Sequence, residues 1–321
     1  MVPKFLLDSL PEDYAQLYRS LEPIAGEGLR LCEGLGGLTS FRIGGPADLF
    51  LDPGSFDIAR AALSLAHDLG VPVTVIGGGS NLLVSDRGVR GLVMRLGRAF
   101  DYIRWRGLGD ERAVAEVGAA TRMARLVHDS VAKGYKGLEF AAGIPGMVGG
   151  ATLMNAGAFG GEIGSAVTEL QALSIEGAVV NLSAPELDFS YRKLALDGVA
   201  VVTSIRFGLL RASVGRLREV VETVQRKRKR RQPVGLPNAG SVFKNPPNGF
   251  AGQFIENAGV KGKVVGAAQV SPEHANFIVN LGGATAENVR TLMGLVQEEV
   301  WKKCGVWLEP ELRLIGDWGE T

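Results

Sequence analysis

A chain of 321 residues is long enough for two or three domains, and 46% hydrophobic against 21% charged residues is the balance of an ordinary globular protein with real cores. The 35 basic and 34 acidic side chains leave a net charge of +1, without the basic excess of a dedicated nucleic-acid binder. Two distant cysteines, Cys32 and Cys304, and only three histidines, His67, His128 and His274, argue against a disulfide framework, a metal site or a serine-histidine-aspartate triad.

The N-terminal stretch, MVPKFLLDSLPEDYAQLYRSLEP, has a short apolar patch followed by acidic residues and prolines, and lacks the apolar core of a signal peptide. No apolar run approaches the ~20 residues that span a bilayer, so a cytoplasmic protein without membrane contacts is expected. Residues 55–70 read as a helix stopped by a glycine, followed by a buried strand, VPVTVI, that runs into the loop GGGSN (77–81). LLVSD and GLVMRL read as short strands. Residues 121–134 have helical spacing and again end at glycine, and strands are expected around 168–175, 178–182 and 199–208. This mixed α+β region spans about 38–210. Beyond it, SVGRLREVVETVQRKRKRRQPVGLP reads as an amphipathic helix, a basic run and a Pro/Gly stop. Short strands and two helices, near 249–259 and 285–304, then form a smaller α/β domain over 211–321.

The 45 glycines are roughly twice the usual share, and they gather in FRIGGPA (41–47), VIGGGSNLL (75–83), AAGIPGMVGGA (141–151), NAGAFGGEIG (155–164) and NAGS (238–241). Glycine lets backbone approach a ligand with no Cβ in the way, so several such loops point to a large, flat or phosphate-bearing ligand; for each loop alone, an ordinary tight turn is the competing explanation. The Gly77–Asn81 loop is not a Rossmann fingerprint, because Leu82 stands where a third glycine belongs, nor a Walker loop, because no Gly-Lys-Ser/Thr follows. Asn238–Pro246 places a hydroxyl, an ammonium and amides close together: Ser241 and Phe243 are expected on one strand face and Lys244 on the other. Glu309 and Glu311 stand two apart near the C-terminus. The basic run 226–231 is open to three readings: a solvated helix end favoured by the macrodipole, a site for a small anion, or a nucleic-acid patch that the near-neutral whole opposes.

Taken in order, LTSFRIGGPA, VIGGGSNLLVSDRGVRGLV, GLEFAAGIPGMVGGATLMNAGAFGGEI, SYR, KRKRRQP, AGSVFKNP, AGQFIENAGVKG, VSPEHANFIVN and GVWLEPELRLIG resemble successive blocks of the enolpyruvylglucosamine reductases, over residues 38–316. The resemblance implies an α+β fold: a two-part FAD-binding region of the vanillyl-alcohol-oxidase (PCMH) type, 38–96 and 97–210, after an N-terminal extension (1–37) and before the substrate-binding domain (211–321). It implies NADPH-driven, flavin-dependent reduction of UDP-N-acetylglucosamine enolpyruvate to UDP-N-acetylmuramate, a peptidoglycan precursor. No tyrosine lies between Tyr191-Arg192 and Ala239-Gly240-Ser241, as in the shorter, type II subgroup.

By the same resemblance, Arg192 holds the substrate carboxylate, Glu311 works beside it and Ser241 protonates the adjacent carbon, with assistance from Lys244 or a water left open. Tyr191, Arg231, Lys244, Asn245 and His274 match substrate contacts. Ile76, Gly77, Gly78, Gly79, Ser80 and Asn81, with Gly143, Ile144, Pro145, Gly146, Gly149, Gly150 and Ala151, match the FAD loops. Two departures bear on substrate contacts: Lys193-Leu194 follow Arg192 where many relatives have a serine two residues on, and His274 stands where some have glutamine. Another flavin oxidase of the same superfamily is the competing enzyme; such oxidases often attach FAD through a histidine in the loop where this chain has Ser80. The only partner expected is the small UDP-sugar, and a monomer is compatible with the sequence. With neither histidine nor cysteine in Gly77–Asn81, FAD is predicted to be noncovalent: acid precipitation should leave all flavin fluorescence in the supernatant, and flavin on the pellet contradicts it.

Overall fold

The computed structural model describes residues 7–230, 232–233 and 235–319. The chain forms two compact units: one from residues up to 32 with 48–78 and 91–227, the other from 33–47, 79–90 and 228 onward. Among the described residues, no helix is long and apolar enough to cross a membrane.

The first unit begins with α1 (Glu12–Ala25), which buries Leu17, Tyr18 and Leu21. A four-stranded sheet follows, in the order β1 (Leu29–Gly34), β2 (Pro46–Leu51), β5 (Val89–Arg95), β3 (Val73–Ile76); β3 and β5 run parallel, with Val75 opposite Met94. The expected helix at 55–70 is α2 (Phe56–Asp68). Ser55 Oγ accepts the Ile58 N–H at 3.2 Å, and Ala59, Ala62, Leu63 and Ala66 form its buried stripe.

The larger sheet of this unit is antiparallel, in the order β12 (Val179–Ser183), β11 (Val167–Ser174), β15 (Val199–Arg211), β7 (Arg112–Gly118), β6 (Ile103–Gly107), with β8 (Tyr135–Lys136) also paired to β15. Along β15, Ile205, Phe207 and Leu209 are buried while Arg206 and Gly208 face outward, the alternation of a sheet covered on one side. On the outer face Arg206 pairs with both Glu116 and Glu169. α3 (Met123–Ala132) packs Met123, Leu126 and Val127 into the same core, and α5 (Val214–Lys229) adds Val224. β6 and β7 are absent from the sequence expectations. Their outward positions carry Arg104, Arg106 and Arg112, which dilute the apolar signal of a strand.

In the second unit, β16 (Asn238–Ser241), β19 (Phe277–Asn280), β18 (Ala268–Val270) and β17 (Val264–Val265) form an antiparallel sheet in that order. A short parallel pair, β4 (Leu82–Val84) with β20 (Arg313–Ile315), lies in the same unit. α6 (Ala251–Asn257) and α7 (Ala286–Cys304) are the two helices expected there. Thr285 Oγ1 caps α7, and the Asp86 carboxylate accepts the Ala286 and Glu287 N–H groups at 2.8 and 3.1 Å, where a negative charge meets the positive helix end. The core joins Phe41, Ile43 and Leu83 to Val242, Phe243, Ile255, Leu292, Val296 and Leu308.

Asn276, 4% exposed, fixes the segment after β16: its Oδ1 accepts the Phe243 N–H at 3.0 Å and its Nδ2 donates to the Phe243 carbonyl at 2.8 Å. Replacing it by alanine orphans two buried backbone groups, each worth about 1–3 kcal/mol. Asn276→Ala is expected to destabilise the second unit by about 2–6 kcal/mol, read as a lower urea midpoint; an unchanged midpoint contradicts this.

Candidate active site

In the first unit, two glycine loops meet. A Cβ built on Gly78, which follows β3, would lie 2.9 Å from the Cα of Gly146 in the second loop, so Gly78 must lack a side chain. That second loop runs into α4 (Val148–Leu153) and is anchored from below. Val148 N–H donates to the Thr121 carbonyl at 2.8 Å and Gly149 N–H to the Ala119 carbonyl at 2.9 Å, and a Cβ on Gly149 would strike the Ala119 methyl at 2.8 Å. Gly143 and Gly146 have φ of 80° and 98°, which side chains avoid. Ile76 points into the core at 2% exposure, so only its backbone faces outward.

Gly77 and Gly150 are glycines of another kind. Neither has a positive φ, and a Cβ on either would meet nothing within 4 Å. The protein's own packing gives no reason for them. Bare backbone beside open space, with no ionisable side chain among residues 76–78 or 143–151, fits a ligand held by main-chain N–H groups, as FAD would be held by its diphosphate. Ala119 and Thr121, which support this cradle, went unremarked in the sequence because neither carries chemistry of its own.

Arg192 sits in the same unit at the tip of a hairpin, β13 (Asp188–Ser190) and β14 (Lys193–Ala195), with Ser190 paired to Lys193. Its φ is 59°, a left-handed conformation that costs a non-glycine residue about 1 kcal/mol or more. Its Nη2 donates to the Gly157 carbonyl at 3.2 Å, and the guanidinium lies 5.0 Å from the Tyr191 ring centroid. Gly157 belongs to a second small hairpin, β9 (Gly157–Ala158) with β10 (Gly161–Glu162).

Asn155, just past α4 and 1% exposed, ties the first hairpin to the turn that follows the second. Its Nδ2 donates to the Ser190 carbonyl at 3.0 Å and its Oδ1 accepts the Gly164 N–H at 2.9 Å. Asn155 and Phe159 are also left-handed, at 38° and 53°, so with Arg192 itself three such residues lie in this region. Such strain persists only where surrounding bonds over-determine it, and it concentrates at working sites. Lys227, from the basic run, lies 6.0 Å over the Phe159 ring.

In the second unit, Gly240 (φ 78°) and an irregular register between Asn238–Val279 and Ser241–Phe277 make a bulge immediately before Ser241, a device that re-aims the next side chain. The strand then runs antiparallel to residues 309–312. Lys244 N–H donates to the Glu309 carbonyl at 2.9 Å, Phe243 bridges Pro310, and the Val242 carbonyl accepts both Glu311 N–H, at 2.8 Å, and Leu312 N–H, at 3.2 Å. Ser241 and Glu311 are therefore carried by neighbouring segments joined at Val242.

The Lys244 ammonium is ion-paired with Glu309 at 3.2 Å. Asn245 Oδ1 accepts the Ala251 N–H at 3.0 Å at the start of α6, and His274 Nδ1 accepts the Asn276 N–H at 3.2 Å, with its ring edge-on to Phe277. Of the first glycine loop, Gly79, Ser80 and Asn81 belong to this unit. The Gly79 carbonyl accepts from both Ser40 N–H and Ser40 Oγ, and Asn81 Nδ2 donates to the Glu311 carbonyl at 3.0 Å. Arg231 lies outside the described residues.

The two kinds of glycine make opposite predictions. Gly150→Ala replaces a helical glycine by a better helix former and should leave the apoprotein as stable or up to ~1 kcal/mol more so, while lowering the FAD bound per chain on titration. Gly78→Ala should destabilise the apoprotein itself. Full FAD binding by Gly150→Ala contradicts the cradle.

Comparison with known proteins places this geometry. Residues 47–183 match the FAD binding domain family, and residues 232–315 match the C-terminal domain of UDP-N-acetylenolpyruvoylglucosamine reductase. The chain is 43% identical to UDP-N-acetylenolpyruvoylglucosamine reductase 2 of Symbiobacterium thermophilum, over 90% of this chain and 92% of that one. It is 44% identical to the reductase of Heliobacterium modesticaldum, over 88% of each. The crystal structure of the Thermus caldophilus reductase superposes with a TM-score of 0.76 at 36% identity, covering 89% of this chain and 98% of that one. With near-complete coverage on both sides and a shared fold, the chain belongs to the UDP-N-acetylenolpyruvoylglucosamine reductase family.

Proposed function

We propose that this protein reduces the enolpyruvyl ether of UDP-N-acetylglucosamine to the lactyl ether, UDP-N-acetylmuramate, with FAD as cofactor and NADPH as electron source. The observation that carries the reading is the junction at Val242, which sets the segments bearing Ser241 and Glu311 side by side. Family membership over nearly the whole chain supports the substrate and cofactor.

FAD, held by residues 76–81 and 143–151, would supply to the methylene carbon of the enolpyruvyl group the hydride that comes from NADPH. The protein's residues have three tasks: to hold the substrate carboxylate, to stabilise the negative charge that spreads onto it as an enediolate, and to give a proton to the carbon next to it. Arg192 has the planar fork that grips a carboxylate with two parallel hydrogen bonds. The strained turn and the Asn155 staple fix its backbone before substrate arrives, so little ordering remains to be done. Glu311 helps the enediolate only as a hydrogen-bond donor, since an ionised carboxylate would repel the charge that forms. Ser241, re-aimed by the Gly240 bulge, gives the proton from Oγ.

Assistance to Ser241 from Lys244, whose ammonium is ion-paired with Glu309, or from a water completes the reading. Residues 76–81 and 143–151 hold the cofactor through backbone. Tyr191, Asn245, His274 and the basic segment that includes Arg231 take the sugar nucleotide, whose diphosphate is the anion that segment suits. No nucleic-acid partner is inferred, since the whole chain is close to neutral.

Ser241→Ala separates the two halves of the cycle. Flavin bleaching by NADPH needs no proton at the substrate carbon and should proceed nearly as in the wild type. Reoxidation by the enolpyruvyl substrate should slow by ~10²–10⁴-fold, the usual contribution of a general acid. Losing one hydroxyl costs stability only about 1 kcal/mol, so fold damage does not confuse the result. Stopped-flow absorbance reads both phases, and wild-type reoxidation by Ser241→Ala removes Ser241 from the role of acid.

A further inference from the structure

We infer that Asn81 is a positioning residue for Glu311, holding the backbone of that glutamate in its working place through the side-chain amide. The inference rests on the reading of Glu311 given above. Glu311 lies in an irregular stretch, after the Phe243–Pro310 bridge and before β20 begins at Arg313, where no strand ladder fixes it. Its peptide is instead held at both ends by single bonds: its N–H donates to the Val242 carbonyl at 2.8 Å, and its carbonyl accepts from Asn81 Nδ2 at 3.0 Å. Asn81 is itself pinned, because its carbonyl accepts the Arg313 N–H at 3.1 Å and the next residue, Leu82, opens the parallel pairing with Arg313.

The chemistry of the side chain fits the task. A carbonyl needs a donor, and a neutral amide supplies one on a short two-bond arm without burying a charge. Aspartate there would turn two oxygens on a carbonyl oxygen. An apolar residue would leave the Glu311 carbonyl without this bond and free the stretch to move. A glutamate side chain amplifies any shift of its own backbone, and displacements near 1 Å at a reacting group cost about 10²-fold in rate. The last residue of the glycine loop thus sets Glu311, 230 positions away in sequence.

The test is a double-mutant cycle on the flavin-loaded enzyme, with Asn81→Ala, Glu311→Gln and the pair, and with rates taken per bound flavin so that lost cofactor does not pass for lost catalysis. Asn81→Ala is expected to slow the maximal rate of reoxidation by the enolpyruvyl substrate by ~10²-fold, with the substrate concentration at half-maximal rate little changed. The pair is expected to be no slower than Glu311→Gln alone, within the factor of about 2 over which independent effects scatter. A merely structural role for Asn81 would instead make the two losses multiply, and that result overturns the inference. If Glu311→Gln is slow and Asn81→Ala is as fast as the wild type, the positioning role falls and the reading of Glu311 stands. If Glu311→Gln reoxidises at the wild-type rate, the reading of Glu311 falls and the inference falls with it. Should Asn81→Ala fail to fold, Asn81→Asp keeps the shape, removes the donor and is held to the same outcomes.

Discussion

The first unit's glycine loops depend on one steric constraint: at Gly78 and Gly146 two backbones approach too closely for any side chain to stand between them. Packing that tight leaves no slack for either loop to drift independently. It holds the second loop against the end of β3, and the carbonyls of Ala119 and Thr121 fix it from the other side. What remains outward is main chain, and at Gly77 and Gly150 the space beside it is open. A loop built this way offers a ligand shape and main-chain N–H groups, with no ionisable side chain among residues 76–78 or 143–151.

Carboxamides, three of them buried, do a comparable job for the segments that carry the candidate site residues. Asn155 ties the Arg192 hairpin to the end of α4, Asn276 grips the peptide beside Ser241, Asn81 reaches the Glu311 carbonyl, and Asn280 bonds the Phe41 carbonyl and the turn at 282–284. An amide offers a donor and an acceptor on one rigid plane without the desolvation cost of a charge. The pattern explains how irregular segments, which have no ladder to lean on, can hold residues to the tolerance that catalysis requires.

Much of the local structure was legible in the sequence. Helical spacing closed by glycine marks α2, α3 and α7, and the glycine loops stand out by composition. Less legible was whatever depends on distant partners. Residues 103–107 and 112–118 alternate arginine with apolar residues and show their strand character only when paired with each other and with β15. Nothing within 33–47 or 79–90 announces that these segments pack with the C-terminal residues, since the packing that decides it lies some 200 positions on. At the candidate site, the resemblance pointed to Arg192, Ser241 and Glu311, but the left-handed turn at Tyr191-Arg192 lacks the glycine or asparagine that usually signals one. Asn155 and Asn276 sit in plain view, yet a single asparagine carries no pattern until its hydrogen bonds are known.

The parallel pairing of β4 with β20 has a consequence for how the molecule comes into being. Leu82 emerges from the ribosome long before Arg313, its partner. At a synthesis rate of roughly 5–20 residues per second, the edge of β4 waits on the order of 10 to 50 seconds with that pairing unmade. During that interval the segment's apolar residues, Leu83 and Val84 among them, must be shielded by something other than their final neighbours. The second unit is thus closed by a strand made some 230 residues after its partner, and a nascent chain stalled before residue 313 would lack it.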